Sequence, residues 1–388
     1  MYKILTLNNI SQRGLDRFPK KVFEISNELT DPDAILLRSF KMHDYPVPTS
    51  LKAVGRAGAG VNNIPVDEFT KKGIPVFNTP GANANAVAEI VLTAMLMASR
   101  NVAQAWEFAR NLEGTDAEIS KQVESGKKNF VGMELPGKTL SVIGLGAIGV
   151  KVANNAMALG MNVIGYDPLL TVDRALELNS NVNKTSSIDE ALFSADYITF
   201  HVPLTDDTKN LLNDTRVKRL KENVIVLNFA REGIVNEDAI ATGIESGRVY
   251  SYICDFPTNK LKNMNRVVTL PHLGASTEEA EENCAVMVVD QIKDFLQNGN
   301  ITNSVNFPEV VMQRGEGHRI SIANSNVPNI VAQISTLLSN SGFNIVDMLN
   351  RSKKEYAYTL LDVDKEVSSE ILEGIRKITG VLAVRYHK

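Results

Sequence analysis

Short apolar runs rich in β-branched residues recur along the chain, and helix-length segments separate them. From residue 138 onward, these runs predict strands at 139–144, 162–166, 196–200, 224–228, 249–253 and 267–270. Near-continuous apolar strands that alternate with helices are typical of a parallel sheet covered on both faces. The first 100 residues repeat the pattern at 2–7, 34–38, 51–56 and 74–78. They predict a second, smaller α/β domain.

Two long helical stretches connect these parts of the chain. Residues 84–111 contain no glycine or proline and predict one long helix, and residues 277–297 predict another after the last strand. Because one helix leads out of the first domain and the other follows the sheet, we expect the chain to return to its starting domain. The tail from residue 317 predicts the order β-α-β-β-α-β, a small open sheet with helices on one face.

Composition and charge exclude several classes of protein. The 388 residues are 44% hydrophobic and 22% charged, which argues against disordered, collagen-like and coiled-coil chains. The formal net charge of −4 gives no basic excess for a nucleic acid or an anionic membrane. Two cysteines, Cys254 and Cys284, are too few for a disulfide framework or a four-ligand zinc site, so we predict no metal centre. With no apparent secretory signal or membrane span, a cytoplasmic location is expected.

A glycine-rich turn at residues 144–149 follows a predicted strand and opens a helix. In such a G-x-G-x-x-G turn the first glycine permits the tight turn, the second lets the backbone approach a pyrophosphate, and the third lets helix and strand pack closely. The helix N-terminus supplies N–H donors for the phosphates. Asp167 ends the next strand, where a carboxylate would bind ribose hydroxyls and repel the 2′-phosphate of NADP. The sequence therefore predicts an NAD site formed by Gly144, Gly146, Ala147, Ile148, Gly149 and Asp167.

The predicted fold class follows from these patterns. We expect an α/β protein in which a Rossmann-like doubly wound parallel sheet is inserted into a smaller flavodoxin-like α/β domain, followed by a C-terminal βαββαβ domain. The predicted boundaries are 1–98 with 285–310 for the first domain, 99–284 for the second and 317–388 for the third.

Ligands of open parallel sheets bind beyond the carboxyl ends of the strands. The polar residues that follow the predicted strands are Asp167, His201, Arg231, Asp255 and His272. Arg231 is suited to clamp a carboxylate and polarise a neighbouring carbonyl. His272 is suited to exchange a proton with a carbonyl or hydroxyl oxygen during hydride transfer. For His201 two interpretations stay open, a local hydrogen bond at the strand end and a contact with the cofactor.

Successive sequence blocks resemble the D-2-hydroxyacid dehydrogenase family over nearly the whole chain. The blocks lie at 54–89, 134–149, 201–213, 228–240 and 270–277. Within the family they most resemble the D-3-phosphoglycerate dehydrogenases that carry a C-terminal ACT domain. The resemblance implies that Arg231 binds the substrate's carboxylate and carbonyl and that His272 is the proton donor and acceptor.

The resemblance also implies further binding residues. On the cofactor side it implies His201, Pro203, Thr205, Ala230, Asp255 and Gly274. On the substrate side it implies Arg38, Ser39 and Lys41 for a phosphate, with Gly58, Ala59 and Gly60 in the substrate-domain signature. For an amino-acid effector of the ACT-like tail it implies Asn324, Asn326 and Asn344. In that tail Asn329 stands where a glycine is usual, and this predicts altered or absent effector binding.

One departure from the family pattern concerns catalysis. The family's third catalytic residue is a glutamate that pairs with the histidine and raises its pKa. It normally follows the strand that ends here in Asp255, where this sequence has Asn259 or Lys260. Either another carboxylate, such as that of Glu232, serves His272, or the proton transfer proceeds without one.

These observations predict an NAD-dependent enzyme that oxidises 3-phospho-D-glycerate to 3-phosphohydroxypyruvate in serine biosynthesis. Two alternatives stay open. One is another D-2-hydroxyacid dehydrogenase, for glycerate, lactate or a similar acid, and the other is a non-catalytic protein that senses NAD and an amino acid. The expected partners are a small anionic 2-hydroxy acid and an amino-acid effector such as serine, with no nucleic acid and no membrane. Because ACT modules commonly pair edge to edge, we expect a homodimer or homotetramer.

Overall fold

The computed structural model describes residues 1–387 and divides the chain into two compact units. Unit 1 comprises Met1–Asn83 together with the chain from Glu278 onward, and unit 2 is Ala84–Thr277. The chain thus leaves unit 1 and returns to it. The division into three domains with the boundaries given above stays a prediction.

Unit 1 begins with a five-stranded parallel sheet. Its strands are β1 (Tyr2–Leu7), β2 (Phe23–Ser26), β3 (Ala34–Leu37), β4 (Ala53–Arg56) and β5 (Val76–Phe77). The helices between them are α1 (Gln12–Leu15) and α2 (Val66–Lys71). The strand order β2-β1-β3-β4-β5 is that of flavodoxin-like sheets. All four residues of β3 are buried, as the apolar run predicts for a central strand.

The predicted long helix at 84–111 is wrong in one respect, because the structure breaks it. It forms α3 (Ala84–Ser99) and α4 (Val102–Arg110), and their axes differ by 66°. At the break Asn101 has a left-handed backbone (φ 52°), which asparagine tolerates better than most residues. Its side chain donates to the carbonyl of Val131 and accepts from the hydroxyl of Tyr250. Helix α5 (Asp116–Gly126) and a 3₁₀ turn (Lys127–Phe130) follow.

No single helix in residues 1–387 is long and apolar enough to cross a membrane. Helices α3 and α4 reach that length and composition only when they are taken together across their bend.

Unit 2 contains a seven-stranded parallel sheet. Its strands are β6 (Thr139–Ile143), β7 (Asn162–Tyr166), β8 (Asn183–Lys184), β9 (Tyr197–Phe200), β10 (Val224–Asn228), β11 (Val249–Cys254) and β12 (Val267–Thr269). The strand order is β12-β11-β10-β9-β6-β7-β8. From β6 the chain first adds strands on one side and then, from β9, on the other, so the switch point of this Rossmann sheet lies between β6 and β9. The helices that connect these strands are α6 (Ala147–Ala158), α7 (Val172–Glu177), α8 (Ile188–Phe193), α9 (Asp214–Val217) and α10 (Glu237–Glu245). Separate apolar clusters on the two faces of the sheet confirm that it is doubly wound.

Helix α11 (Glu278–Asn298) brings the chain back to the first sheet and packs on it. A Cβ added at Gly55 of β4 would lie 2.6 Å from a methyl carbon of Val288, so the glycine permits close approach of helix and sheet.

A four-stranded antiparallel sheet forms the C-terminal module. Its elements are β13 (His318–Ser325), α12 (Ile330–Asn340), β14 (Ile345–Lys353), β15 (Tyr356–Val363), α13 (Ser369–Arg376) and β16 (Val381–His387). The sheet order is β14-β15-β13-β16. Ile320, Ile334 and Ile375 belong to an apolar cluster between this sheet and its two helices. The predicted βαββαβ order is confirmed.

The C-terminal module shares a core with the first sheet. Tyr358 and Leu360 of β15 are buried in the same cluster as Phe77 of β5 and Phe295 of α11. Side chains of the module, and that of Arg314 just before it, also bond carbonyls in the last turn of α11 or directly after it. Such carbonyls have no partner within a helix. These bonds join His387 to Leu296, Arg314 to Gln297, Arg319 to Asn298, and Tyr358 to Gly299.

Candidate active site

The glycine-rich turn of unit 2 has the geometry expected of a dinucleotide cradle. Gly144 has a positive φ of 95°, and a Cβ there would lie 2.6 Å from the carbonyl oxygen of His201. A Cβ at Gly149 would lie 1.9 Å from the carbonyl oxygen of Gly144. At Gly146, in contrast, a Cβ would meet nothing within 4 Å. The first and third glycines therefore permit tight packing, and the second leaves open space before helix α6.

Asp167 lies beside the glycine turn at the end of β7. Its two carboxylate oxygens accept backbone N–H groups from Leu145 and from Leu169, each at 2.8 Å. These bonds fix the orientation of the carboxylate. Because a carboxylate oxygen has two lone-pair sites, each oxygen can still accept a ribose hydroxyl. Together with the free N–H groups at the start of α6, these residues fit a bound NAD.

His201 follows β9 next to the glycine turn. Its Nε2 lies 3.0 Å from Oγ1 of Thr199, whereas its Nδ1 is buried with no hydrogen-bond partner in the described chain. Burial lowers the pKa of His201 to about 3, so the imidazole is neutral at physiological pH. The contact with Thr199 agrees with the interpretation that His201 makes a local hydrogen bond at the strand end. The unpartnered Nδ1 could also contact the cofactor, so both interpretations of His201 stay open.

The loop after His201 carries Pro203 and Thr205. The hydroxyl of Thr208 donates to the carbonyl of Pro203 at 2.6 Å and accepts the backbone N–H of Thr205 at 2.8 Å. Thr208 therefore braces this loop, which contains both predicted cofactor residues.

Asn228 positions the turn that carries Arg231. It is the last residue of β10, and its side chain donates to the carbonyl of Arg231 at 2.9 Å and accepts the N–H of Ala230 at 3.2 Å. Arg231 is exposed, and its Nη1 donates to the carbonyl of Ala230. The guanidinium can therefore still bind a carboxylate. Sequence reasoning missed the role of Asn228, although its place at a strand end was a usable signal.

Asp255 organises the loop that carries His272. Its carboxylate is buried at the end of β11 and accepts the N–H groups of Leu273 and Gly274, each at 2.7 Å. A Cβ at Gly274 would lie 3.0 Å from that carboxylate, so a larger residue would crowd it. His272 itself has a left-handed backbone (φ 58°) and an exposed side chain. The buried carboxylate thus holds the histidine's loop through its backbone.

Within residues 84–277, the imidazole of His272 has an aromatic neighbour and no acidic one. Phe256 meets it edge to face, with ring centroids 5.5 Å apart. The ion pairs within residues 84–277 all join a lysine or arginine to a carboxylate, and none of them contains His272 or Glu232. Lys260, one of the two residues expected at the position of the family's glutamate, forms an ion pair with Asp238.

In unit 1 the phosphate candidates lie at the carboxyl edge of the first sheet. The side chain of Asn8, just after β1, accepts the backbone N–H groups of Ser39 and Phe40 at 3.1 and 2.6 Å. Asn63 donates to the carbonyls of Arg38 and Phe40. Two asparagines therefore hold this loop, while the side chains of Ser39 and Lys41 are exposed.

A second arginine joins Arg38 at this edge, and sequence reasoning missed it. Arg56 ends β4, and its Nε donates to the carbonyl of Arg38 at 3.0 Å. Its Nη1 would lie 2.6 Å from a Cβ added at Gly58, so the guanidinium lies against the Gly58–Gly60 loop. The backbone of Gly58 and Ala59 accepts bonds from residues 78–79. The strand-end rule that found Arg231 was the available signal for Arg56.

The three effector candidates do not share one pocket within the C-terminal module. Asn324 is buried and Asn326 exposed, and both precede α12. Asn344 follows α12 and lines a cavity of about 460 Å³ with Ser335 and Phe343. Helix α12 has 11 residues, so its ends are about 16 Å apart.

Comparisons with known proteins identify the family. Residues 92–274 match the family model described as "D-isomer specific 2-hydroxyacid dehydrogenase, NAD binding domain". The D-3-phosphoglycerate dehydrogenase of Haemophilus influenzae is 33% identical over 398 aligned positions, which cover 98% of this chain and 93% of that protein. The chain belongs to the D-2-hydroxyacid dehydrogenase family. Residues of unit 2 form the NAD-binding domain of that family.

Other relatives in the family are longer. The D-3-phosphoglycerate dehydrogenases of Bacillus subtilis and Methanocaldococcus jannaschii are 37% and 36% identical over 327 and 321 residues. The matches cover 79% and 80% of this chain but 59% of each relative. The chain therefore spans a little over half the length of these curated relatives.

Solved structures of the family share the fold. The NAD⁺-bound 3-phosphoglycerate dehydrogenase of Entamoeba histolytica is 27% identical and superposes with a TM-score of 0.62, covering 79% of this chain and 98% of that one. The apo D-mandelate dehydrogenase of Rhodotorula graminis is 20% identical with a TM-score of 0.65, covering 78% and 96%. These structures confirm the predicted Rossmann-like fold class.

Proposed function

We propose that the protein catalyses the NAD-dependent oxidation of 3-phospho-D-glycerate to 3-phosphohydroxypyruvate, as an entry step to serine biosynthesis. Membership of the D-2-hydroxyacid dehydrogenase family supports the reaction class. Relatives named D-3-phosphoglycerate dehydrogenase, one of them matched over nearly its full length, support the choice of substrate.

The proposed mechanism assigns one role to each of two residues in unit 2. Arg231 binds the substrate's carboxylate, and its planar guanidinium suits a bidentate contact. His272 accepts the proton of the C2 hydroxyl and returns it in the reverse reaction. Bound NAD supplies the acceptor for the hydride that leaves C2. Asp255 keeps the histidine's loop in place through the N–H groups of Leu273 and Gly274.

The observation that carries the choice of a phosphorylated substrate is the pair of arginines in unit 1. Arg38 follows β3, and Arg56 is the last residue of the neighbouring parallel strand β4. The side chain of Arg56 donates a hydrogen bond to the backbone carbonyl of Arg38. Two guanidinium groups at one sheet edge suit a phosphate, which carries up to two negative charges at neutral pH. An unphosphorylated 2-hydroxy acid has no group that would need both.

The decisive experiment compares phosphorylated and unphosphorylated substrates in Arg38→Ala. Purified protein with NAD and 3-phospho-D-glycerate should produce NADH absorbance. Losing a charged hydrogen-bond donor should raise KM for this substrate roughly 10- to 100-fold. KM for D-glycerate should not change. Arg13→Ala is a matched control, because Arg13 also pairs with a glutamate of α11 and should leave both KM values unchanged. NADH from unphosphorylated acids alone would refute the proposed substrate.

A non-catalytic NAD-sensing protein is the second candidate. It is favoured by the absence of an ion pair between His272 and a carboxylate within residues 84–277. His272→Gln separates the two functions. An enzyme should lose most of its turnover while NAD binding, followed by cofactor fluorescence, is retained. A sensor should bind NAD equally well before and after the substitution and show no turnover in either form.

We further propose that the C-terminal module is ACT-like and binds an amino-acid effector, although Asn329 stands in the loop before α12. Titration calorimetry with serine should show heat that Asn344→Ala abolishes. Absence of heat in the unaltered protein would refute serine as the effector.

A further inference from the structure

The first turn of helix α11 places a carboxylate on the guanidinium of Arg38. Nη1 of Arg38 lies 2.6 Å from Oε1 of Glu281. Among residues 1–387, no other carboxylate lies within 4.0 Å of a side-chain nitrogen of Arg38. The side chain of Arg38 is 38% exposed and that of Glu281 is 45% exposed, so solvent and ligands can reach both groups.

The charges around this contact belong to one local cluster. Arg56 donates to the carbonyl of Arg38, and its guanidinium lies against Gly58. Burial raises the pKa of the Cys284 thiol, Arg38 and Arg56 lower it, and Glu281 raises it, which indicates that all three charges lie near that thiol. Glu281 therefore reduces the formal charge of the cluster from +2 to +1.

A phosphate that binds Arg38 competes with the carboxylate of Glu281 for the guanidinium. A phosphomonoester carries about −1.5 to −2 charges at pH 7, and it forms its best contacts with both N–H groups of a guanidinium edge. Glu281 occupies one of the terminal nitrogens and would repel the phosphate. An ion pair between exposed groups is weak, so a ligand can displace the carboxylate at a small energetic cost.

We propose that Glu281 is a specificity-determining residue that competes with the substrate's phosphate for Arg38. The inference rests on the proposed function, because it takes Arg38 as a phosphate ligand. Under this assignment Glu281 raises KM for phosphorylated substrates and leaves the chemical step alone. It also weakens binding of the phosphorylated product, which carries the same group.

Glu281→Gln tests the proposal, because glutamine keeps the size of the side chain and removes its charge. KM for 3-phospho-D-glycerate should fall about two- to five-fold, the factor that an exposed ion pair is typically worth. Turnover at saturation and KM for D-glycerate should stay unchanged. The inhibition constant of inorganic phosphate, used as a competing probe, should fall by the same factor.

Glu282→Gln is the matched control. Glu282 is the next residue of the helix and pairs with Arg13 instead of Arg38. The same loss of charge should therefore leave every constant unchanged. In a double variant, Arg38→Ala with Glu281→Gln, the removal of Glu281 should lower KM by less than it does in the unaltered protein, because the competitor has lost its target.

The outcomes separate this inference from the proposed function. If the unaltered protein does not oxidise 3-phospho-D-glycerate, or if Arg38→Ala leaves its KM unchanged, the proposed function fails. If the enzyme is active and depends on Arg38, but Glu281→Gln raises KM or leaves it unchanged, the competitor assignment alone is overturned. A raised KM would mean that Glu281 holds Arg38 in its binding position.

Discussion

Two arginine–carboxylate pairs lie at opposite ends of helix α11 and differ in their surroundings. At the N-terminal end, Arg38 and Glu281 meet in solvent, with 38% and 45% of their side-chain surface exposed. At the C-terminal end, Arg319 and Asp362 are 0% and 4% exposed. The guanidinium of Arg319 donates to both oxygens of Asp362 at 2.7 and 2.8 Å. It also donates to three backbone carbonyls, those of Asn298, Met312 and Gln313.

The difference shows how burial decides what one kind of ion pair can do. In solvent, water or a ligand replaces either partner, so the Arg38–Glu281 pair is available for exchange. In the interior, Arg319 and Asp362 have no other counter-ion among the described residues, and every donor of Arg319 is committed to a fixed acceptor. The buried pair therefore suits a structural role at the junction of α11 and the C-terminal module, and the exposed pair suits recognition.

Asp362→Ala should have the largest effect, because it leaves the Arg319 guanidinium buried without a counter-ion. We expect the free energy of unfolding of unit 1 to fall by about 3–5 kcal/mol. Urea denaturation followed by far-ultraviolet circular dichroism measures this free energy. A loss below about 1 kcal/mol in Asp362→Ala would contradict the contrast between the two pairs.

The stability of the protein should depend on pH through His387, which forms a second buried contact at the same end of α11. Its Nδ1 donates to the carbonyl of Leu296, and burial lowers its pKa from 6.5 to about 4. Below pH 6.5 the unfolded chain binds a proton that the folded protein does not, so stability falls as the pH drops toward 4. The contribution lost at pH 5 is about 2 kcal/mol.

Urea midpoints at pH 7 and pH 5 test this dependence on His387. The fall between the two values should be smaller in His387→Gln than in the unaltered protein. His43→Gln is the control, because that side chain is exposed and should leave the fall unchanged. An equal fall in His387→Gln would refute the titration of this residue.

Tyr358→Phe should have a smaller effect that still exceeds that of any exposed pair. The hydroxyl of Tyr358 donates to the carbonyl of Gly299 at 2.8 Å, just after α11, and both lie in the interior. Removing it leaves a buried carbonyl without that donor, which costs about 1–2 kcal/mol. Tyr356→Phe is a matched control on the same strand, because its hydroxyl has no hydrogen bond in the described residues. Equal urea midpoints for the two variants would contradict the prediction.

The apolar pattern was sufficient for most of the fold and failed where short or irregular elements occur. The fully buried strands, such as β3 and β10, follow from continuous apolar runs. Strands β2 and β8 were missed, because β2 buries only one residue and both residues of β8 are exposed. The break at Asn101 was missed because asparagine in a left-handed conformation leaves no glycine or proline signal.

The candidate site shows a similar limit. Strand-end positions pointed to Arg231, Asp255 and His272 because parallel strands present their ends at one sheet edge. These assignments stay predictions. The contact between Arg38 and Glu281 joins residues far apart in the chain, and it depends on how α11 packs on the first sheet. No local pattern encodes such packing, so the structure was needed to find it.

The smallest effect on stability should come from the exposed pairs at the start of α11. Glu281→Gln and Glu282→Gln each remove one exposed ion pair and one negative charge near a helix N-terminus. Each of these contributions is weak in solvent, so the free energy of unfolding should fall by less than about 1 kcal/mol in either variant. Urea denaturation at low and high salt measures it, and salt should remove most of the difference. If Glu281→Gln destabilised unit 1 as much as Asp362→Ala, the exposed pair would be structural. Arg38 could then not exchange Glu281 for a phosphate at small cost, and the competitor assignment would lose its physical basis.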